Sequence, residues 1–66
     1  MGKVDIIEVK PNTNKTYYEV YYKNTGEKET MSKSTYERNE AIWLRSGYTK
    51  SKAFFSSTIT FIKKWS

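Results

Sequence analysis

The apolar residues of this chain fall in four clusters separated by turn-forming or capping residues, and each cluster predicts an element. KVDIIEVK, residues 3 to 10, is β-branched and apolar enough for a first strand. PNTNK, residues 11 to 15, is turn chemistry, with Pro11 and two asparagines as punctuation. A second strand is predicted over Thr16 to Lys23. Asn24, Thr25 and Gly26 then read as a three-residue hairpin loop with Gly26 in the left-handed conformation. That loop length predicts Lys23 opposite Glu27, Tyr21 opposite Glu29 and Val20 opposite Thr30, with a polar third strand over Glu27 to Met31.

Ser34 followed three residues later by Glu37 has the form of a capping box, so a helix is predicted from about Thr35. Arg45 falls in its last turn and Gly47 at the position after its cap. Tyr48 beyond them is placed to fold back on Trp43, the apolar contact of a Schellman motif. The helix's apolar residues, Ala41, Ile42, Trp43 and Leu44, cluster at its end. TKSK, residues 49 to 52, reads as a loop. AFFSSTITFIKKW, residues 53 to 65, is rich in strand formers, with Phe55, Ile59 and Phe61 on one face at period two. A helical reading through Phe55, Ile59 and Ile62 also fits the spacing, but Ser, Thr and Ile in the middle favour a strand. The prediction is an α+β fold in a single domain over residues 1–66: a small antiparallel sheet, in the order β-β-β-α-β, packed on one short helix.

Alternation also divides the aromatic run YYEVYY. Tyr18, Val20 and Tyr22 point one way, with Lys28 and Thr30 expected beside them, and are the predicted core face. Tyr17, Glu19, Tyr21 and Lys23 point the other way, with Glu27, Glu29 and Met31 expected beside them. Three carboxylates next to Tyr17 and Tyr21 would repel phosphates, whereas tyrosine inside a mixed-charge rim suits a protein contact. Tyr17, Glu19, Tyr21, Lys23, Glu27 and Glu29 are therefore the predicted partner-binding set, with a host protein as the favoured partner. A homodimer that buries part of this surface is a further expectation.

Charge adds a second candidate. The formal net charge is +5, and residues 49 to 66 carry Lys50, Lys52, Lys63 and Lys64 without an acid. Lysines and hydroxyls contact phosphates, and Trp65 could stack on a base, so Lys50, Lys52, Lys63, Lys64 and Trp65 form the alternative, nucleic-acid-binding set. Lysine outnumbers arginine ten to two, and Asn, Ile and Tyr are frequent while Ala, Pro and Gly are scarce. These preferences match A/T-rich codons and point to an A/T-rich bacterial or phage genome, so part of the lysine count reflects composition and not a binding surface.

With no cysteine and no histidine, the chain lacks disulfides, thiolate chemistry, the usual zinc ligands and the commonest general base near neutral pH. No catalytic constellation, cofactor motif or metal site is expected. No apolar run reaches the roughly 18 residues of a membrane span, and MGKVDIIEVK carries acids where a signal peptide would be apolar, so a cytoplasmic protein that does not contact membranes is expected.

The run YYEVYYKNTGEKETMSKSTYERNEAIWL, within about residues 16–44, resembles the N-terminal arm-type DNA-binding domains of phage and transposon tyrosine integrases. An aromatic strand, a tight Gly turn, a second strand and a short helix recur there. The resemblance implies a three-stranded sheet that enters the major groove of DNA with the helix behind it. Carried over, Tyr17, Glu19, Tyr21, Lys23, Glu27 and Glu29 would face the groove. The function expected from the residues themselves is that of a small non-enzymatic binding protein, of the kind phages encode to modulate a host macromolecule or inhibit it.

Overall fold

The computed structural model describes residues 3–52 and 57–65. Its elements are β1 (Lys3–Pro11), β2 (Tyr17–Tyr22), β3 (Glu27–Ser32), α1 (Lys33–Arg45), β4 (Thr49–Lys52) and β5 (Ile59–Trp65). The strands form one five-stranded antiparallel sheet in the order β3-β2-β1-β5-β4, with α1 against one face. The expected α+β architecture holds, with one strand more than predicted.

Ile7, Val9, Tyr18, Val20, Met31 and Phe61 project from the sheet towards Tyr36 and Trp43 of the helix, and these eight side chains are the buried core. The face of Tyr18, Val20 and Tyr22 is thus the core face that alternation predicts. Trp43 is its hub, tilted on Phe61 at 4.9 Å between ring centroids and edge-on to Tyr36 at 6.4 Å and Tyr22 at 6.5 Å. Tyr18 stacks on Tyr36 at 4.2 Å. Aromatic side chains bury the most area per residue, which is how so short a chain fills a core.

Four predicted details are corrected. The β2–β3 register is shifted by one residue: Tyr22 faces Glu27, Tyr21 faces Lys28 and Val20 faces Glu29. Asn24 is the reason. Its side-chain amide accepts from the Ile6 backbone N–H at 3.0 Å and donates to the Val4 carbonyl at 2.8 Å, while the Lys23 N–H donates to the Ile6 carbonyl. Lys23 and Asn24 therefore extend the ladder along β1 and cannot pair with β3. The turn becomes four residues long, closed by the Gly26 N–H on the Tyr22 carbonyl with Gly26 at φ +79°.

The helix begins earlier than the capping-box spacing suggests. Its N-cap is Ser32, whose hydroxyl accepts from the Thr35 N–H at 3.4 Å, and Ser34 lies in the first turn. The sheet sets this start, because β3 stays paired with β2 through Ser32 opposite Tyr17 and no loop separates strand from helix. At the other end the Schellman motif forms as predicted. The Tyr48 N–H donates to the Trp43 carbonyl and the Gly47 N–H to the Leu44 carbonyl, with Gly47 at φ +105°.

Of the apolar group at the helix end only Trp43 is buried; Ala41, Ile42 and Leu44 are exposed. A single stripe of a three-turn helix meets the sheet, and Tyr36 and Trp43 occupy it. TKSK, finally, is strand β4 and no loop. Lys50 lies opposite Phe61 and forms an ion pair with Glu40 at 2.9 Å, which ties this edge to the helix. In β5, Ile59 and Phe61 share the core face as expected; Phe55 lies outside the described residues. No helix among the described residues is long and apolar enough to cross a membrane.

Candidate functional site

Cross-strand partners share a face of the sheet, so the register assigns every strand residue to the helix side or to the opposite, open side. The open side carries Val4, Ile6, Glu8 and Lys10 of β1, Tyr17, Glu19 and Tyr21 of β2, Lys28 and Thr30 of β3, and Thr60, Ile62 and Lys64 of β5. Lys23 joins this face through an ion pair with Glu8 at 3.5 Å. Four of the six predicted partner-binding residues, Tyr17, Glu19, Tyr21 and Lys23, are thus brought together there.

Glu27 and Glu29 are not. The one-residue shift turns every β3 side chain over, so they lie on the helix side with Met31, and Lys28 and Thr30 take their places on the open face. The charge of the open face changes with them. Lys10, Lys23, Lys28 and Lys64 stand against Glu8 and Glu19, and Glu8 is matched by Lys23. The Lys28 ammonium sits 5.5 Å above the Tyr21 ring centroid, a cation–π arrangement. Tyr17 is 58% exposed and Val4 44%, so ring and apolar surface are open to solvent among the described residues. A concavity over the β1, β2 and β3 part of the sheet is lined by Glu8, Lys10, Glu19, Tyr21, Lys28 and Thr30, with Glu29 also reaching it.

On the helix side the acids gather at one cleft. Beyond the end of α1 is a cleft of about 420 Å³ whose lining includes Asp5, Tyr22, Glu27, Glu29, Trp43 and Tyr48. The Tyr22 hydroxyl donates to Glu29 at 3.1 Å; burial, that bond and the charges of Glu29 and Glu27 push its pKa up to about 12. Burial and the Asp5 carboxylate, which accepts a hydrogen bond from Tyr48, raise the Tyr48 hydroxyl as well. The Tyr36 hydroxyl, raised by burial and by its 2.6 Å bond to Glu40, joins Tyr36, Glu40 and Lys50 in one chain. Burial pushes the Glu40 carboxyl up, but the hydrogen bonds from Tyr36 and Lys50 outweigh it and leave the net shift downward.

The register divides the predicted C-terminal cluster: Lys50, Lys52, Lys63 and Trp65 lie on the helix side of the sheet and Lys64 on the open side. Lys50 is held by Glu40, and Lys52 lies opposite Ile59 on the helix side of the β4 edge. The Lys63 ammonium covers the Trp65 ring at 3.9 Å, and the indole N–H of Trp65 donates to Asp5 at 2.8 Å. Trp65 is thereby engaged at its edge and on one face. Only Lys64 reaches the open side, because β5 alternates like any strand and splits the Lys63, Lys64 pair between two faces. Lys10 and Lys28 are the open-face residues that sequence reasoning passed over. Alternation along β1 could have found Lys10; Lys28 needed the register.

No protein-family model, no curated protein and no solved structure matches this chain.

Proposed function

We propose that the chain is a small non-enzymatic binding domain whose open sheet face holds nucleic acid. One observation carries this reading: the register removes Glu27 and Glu29 from the side of Tyr17 and Tyr21 and puts Lys28 there, giving four lysines against two acids around the exposed Tyr17 and the half-buried Tyr21. Two of the three carboxylates that argued against phosphate on that face, Glu27 and Glu29, belong to the helix-side cleft, and Glu19 stays on the open face opposite Lys10. Lysines supply phosphate contacts, the Thr30 and Thr60 hydroxyls add neutral ones, and tyrosine rings supply base contacts.

A protein partner is the second reading, favoured by the exposure of Val4 and Tyr17 on the same face. Fluorescence anisotropy with labelled DNA, single- and double-stranded, at two salt concentrations separates the two. Nucleic-acid binding should weaken as salt rises, and Lys10→Gln with Lys28→Gln should lower the salt slope by roughly one per lysine. Binding that ignores both salt and these lysines, or no binding at low salt, sinks the nucleic-acid reading. Mass measured in parallel detects a homodimer.

A further inference from the structure

The form of nucleic acid can be argued from the geometry of the same face, and this step rests on the reading just proposed. We infer that the open face takes a single strand, with its bases stacked on Tyr17 and Tyr21, and not a duplex.

Width is the first reason. Five strands about 4.8 Å apart span about 19 Å between the outer strand axes, whereas the major groove of B-DNA is about 12 Å wide. Lys28 on β3 and Lys64 on β5 are three strand spacings apart, about 14 Å, so a groove of that width cannot take in both. A flexible single strand crossing the sheet can reach both.

The placement of the rings is the second reason. Tyr17 and Tyr21 stand on one face of one strand four residues apart, which separates them by about 13 Å. Bases in a duplex strand are stacked about 3.4 Å apart and have no free face for a side chain. Two rings so far apart can each hold a base only when the strand between them is unstacked. Tyr17 is 58% exposed, whereas Tyr21 is half-buried with the Lys28 ammonium 5.5 Å from its centroid, so a base stacks on that ring as Lys28 swings aside to the neighbouring phosphate.

Charge is the third. With Glu8 matched by Lys23, the cations left to phosphate are Lys10, Lys28 and Lys64, against one remaining acid, Glu19, which lies opposite Lys10. About three phosphate contacts correspond to a footprint of a few nucleotides, with most of the discrimination left to stacking.

The test uses the full chain with a labelled oligothymidylate about 12 nucleotides long and a hairpin duplex of similar length. The single strand should bind at least about tenfold more tightly than the duplex, and weaken roughly 20-fold between about 50 and about 200 mM salt. Tyr17→Ala should cost about tenfold in single-strand affinity, while Tyr17→Phe keeps it within about twofold. Tyr21→Ala should act in the same direction, with circular dichroism confirming that each variant is folded.

Duplex binding as tight as single-strand binding, with Tyr17→Ala and Tyr21→Ala silent and Lys10→Gln still harmful, overturns the single-strand inference and leaves the face as the nucleic-acid surface. Failure of both probes to bind at about 50 mM salt overturns the reading of the face itself, and this inference with it.

Discussion

Tyr21 and Tyr22 are neighbours in sequence and end on opposite sides of the sheet in different chemistry. Tyr22 packs edge-on to Trp43, donates its hydroxyl to Glu29 and lines a cleft with Asp5 and Glu27. Tyr21 lies between the cross-strand partners Glu8 and Lys28, with an ammonium above its ring. Of the seven acids only Glu8 and Glu19 are on Tyr21's side. The period of two, applied to a chain whose charges alternate in β3, puts Lys28 on Tyr21's face and Glu27 and Glu29 on the other, where Lys3, Lys50, Lys52 and Lys63 also lie. One face packs on the helix and the other is open to solvent.

The sharpest way to break this comparison is to remove a ring from each side. Trp43→Ala deletes the hub of the core and should cost about 3–5 kcal/mol, close to the whole stability of a domain this small. Thermal denaturation followed by circular dichroism should then lose its cooperative transition at ambient temperature. Tyr17→Ala on the open face should move the midpoint by only a few degrees. If the two variants melt alike, the division into a structural and a binding face is wrong.

Alkali should act on one side only. Tyr22, Tyr36 and Tyr48 all have hydroxyls raised above the usual value of 10.0, and all three belong to the helix side. A phenol whose pKa is raised by folding stabilises the fold fully below the unfolded value, and that contribution is lost as pH climbs towards the folded value. Stability should therefore fall above about pH 10, and Tyr36→Phe should flatten the fall in a urea titration repeated across that range. Glu40 works in the other direction. Its lowered pKa contributes stability above the unfolded carboxylate range that is lost as pH falls through the folded value, and Glu40→Gln should remove this part of the acid sensitivity.

A smaller effect tests what keeps the two faces in register. Asn24→Ala removes two side-chain hydrogen bonds to β1 and should cost about 1–2 kcal/mol by equilibrium unfolding. Without that clamp, exchange of the β3 amides with solvent should rise more than exchange of the β5 amides. The smallest expected change is in binding. Glu27→Gln with Glu29→Gln should leave nucleic-acid affinity within about twofold, because a surface charge on the far side is largely screened. An effect as large as that of Lys10→Gln would show that the helix side takes part.

Much of the fold was legible in local pattern. Val4 to Val9 marks a strand and Tyr18, Val20 and Tyr22 mark its partner's core face. Gly47 with Tyr48 marks the helix end, because left-handed backbone and an apolar fold-back have few sequence solutions. The binding face was half legible. Tyr17, Glu19, Tyr21 and Lys23 follow from alternation within one strand, whereas the side taken by Glu27, Lys28 and Glu29 depends on the turn that precedes them.

The α+β class, the helix and its C-terminal motif, and the core side of Tyr18 and Tyr22 were set by local sequence, since each depends on residues within one turn or one strand, whereas the burial of Tyr36 was not foreseen. Only the tertiary structure decided the β2–β3 register, the helix start at Ser32 and the existence of β4. Asn24 chooses its turn by reaching back to β1, and the exposed TKSK becomes a strand by pairing with β5 and through Lys50 on Glu40. Those contacts join residues far apart in the chain, and no local pattern encodes them. The sign of the open face hung on the first.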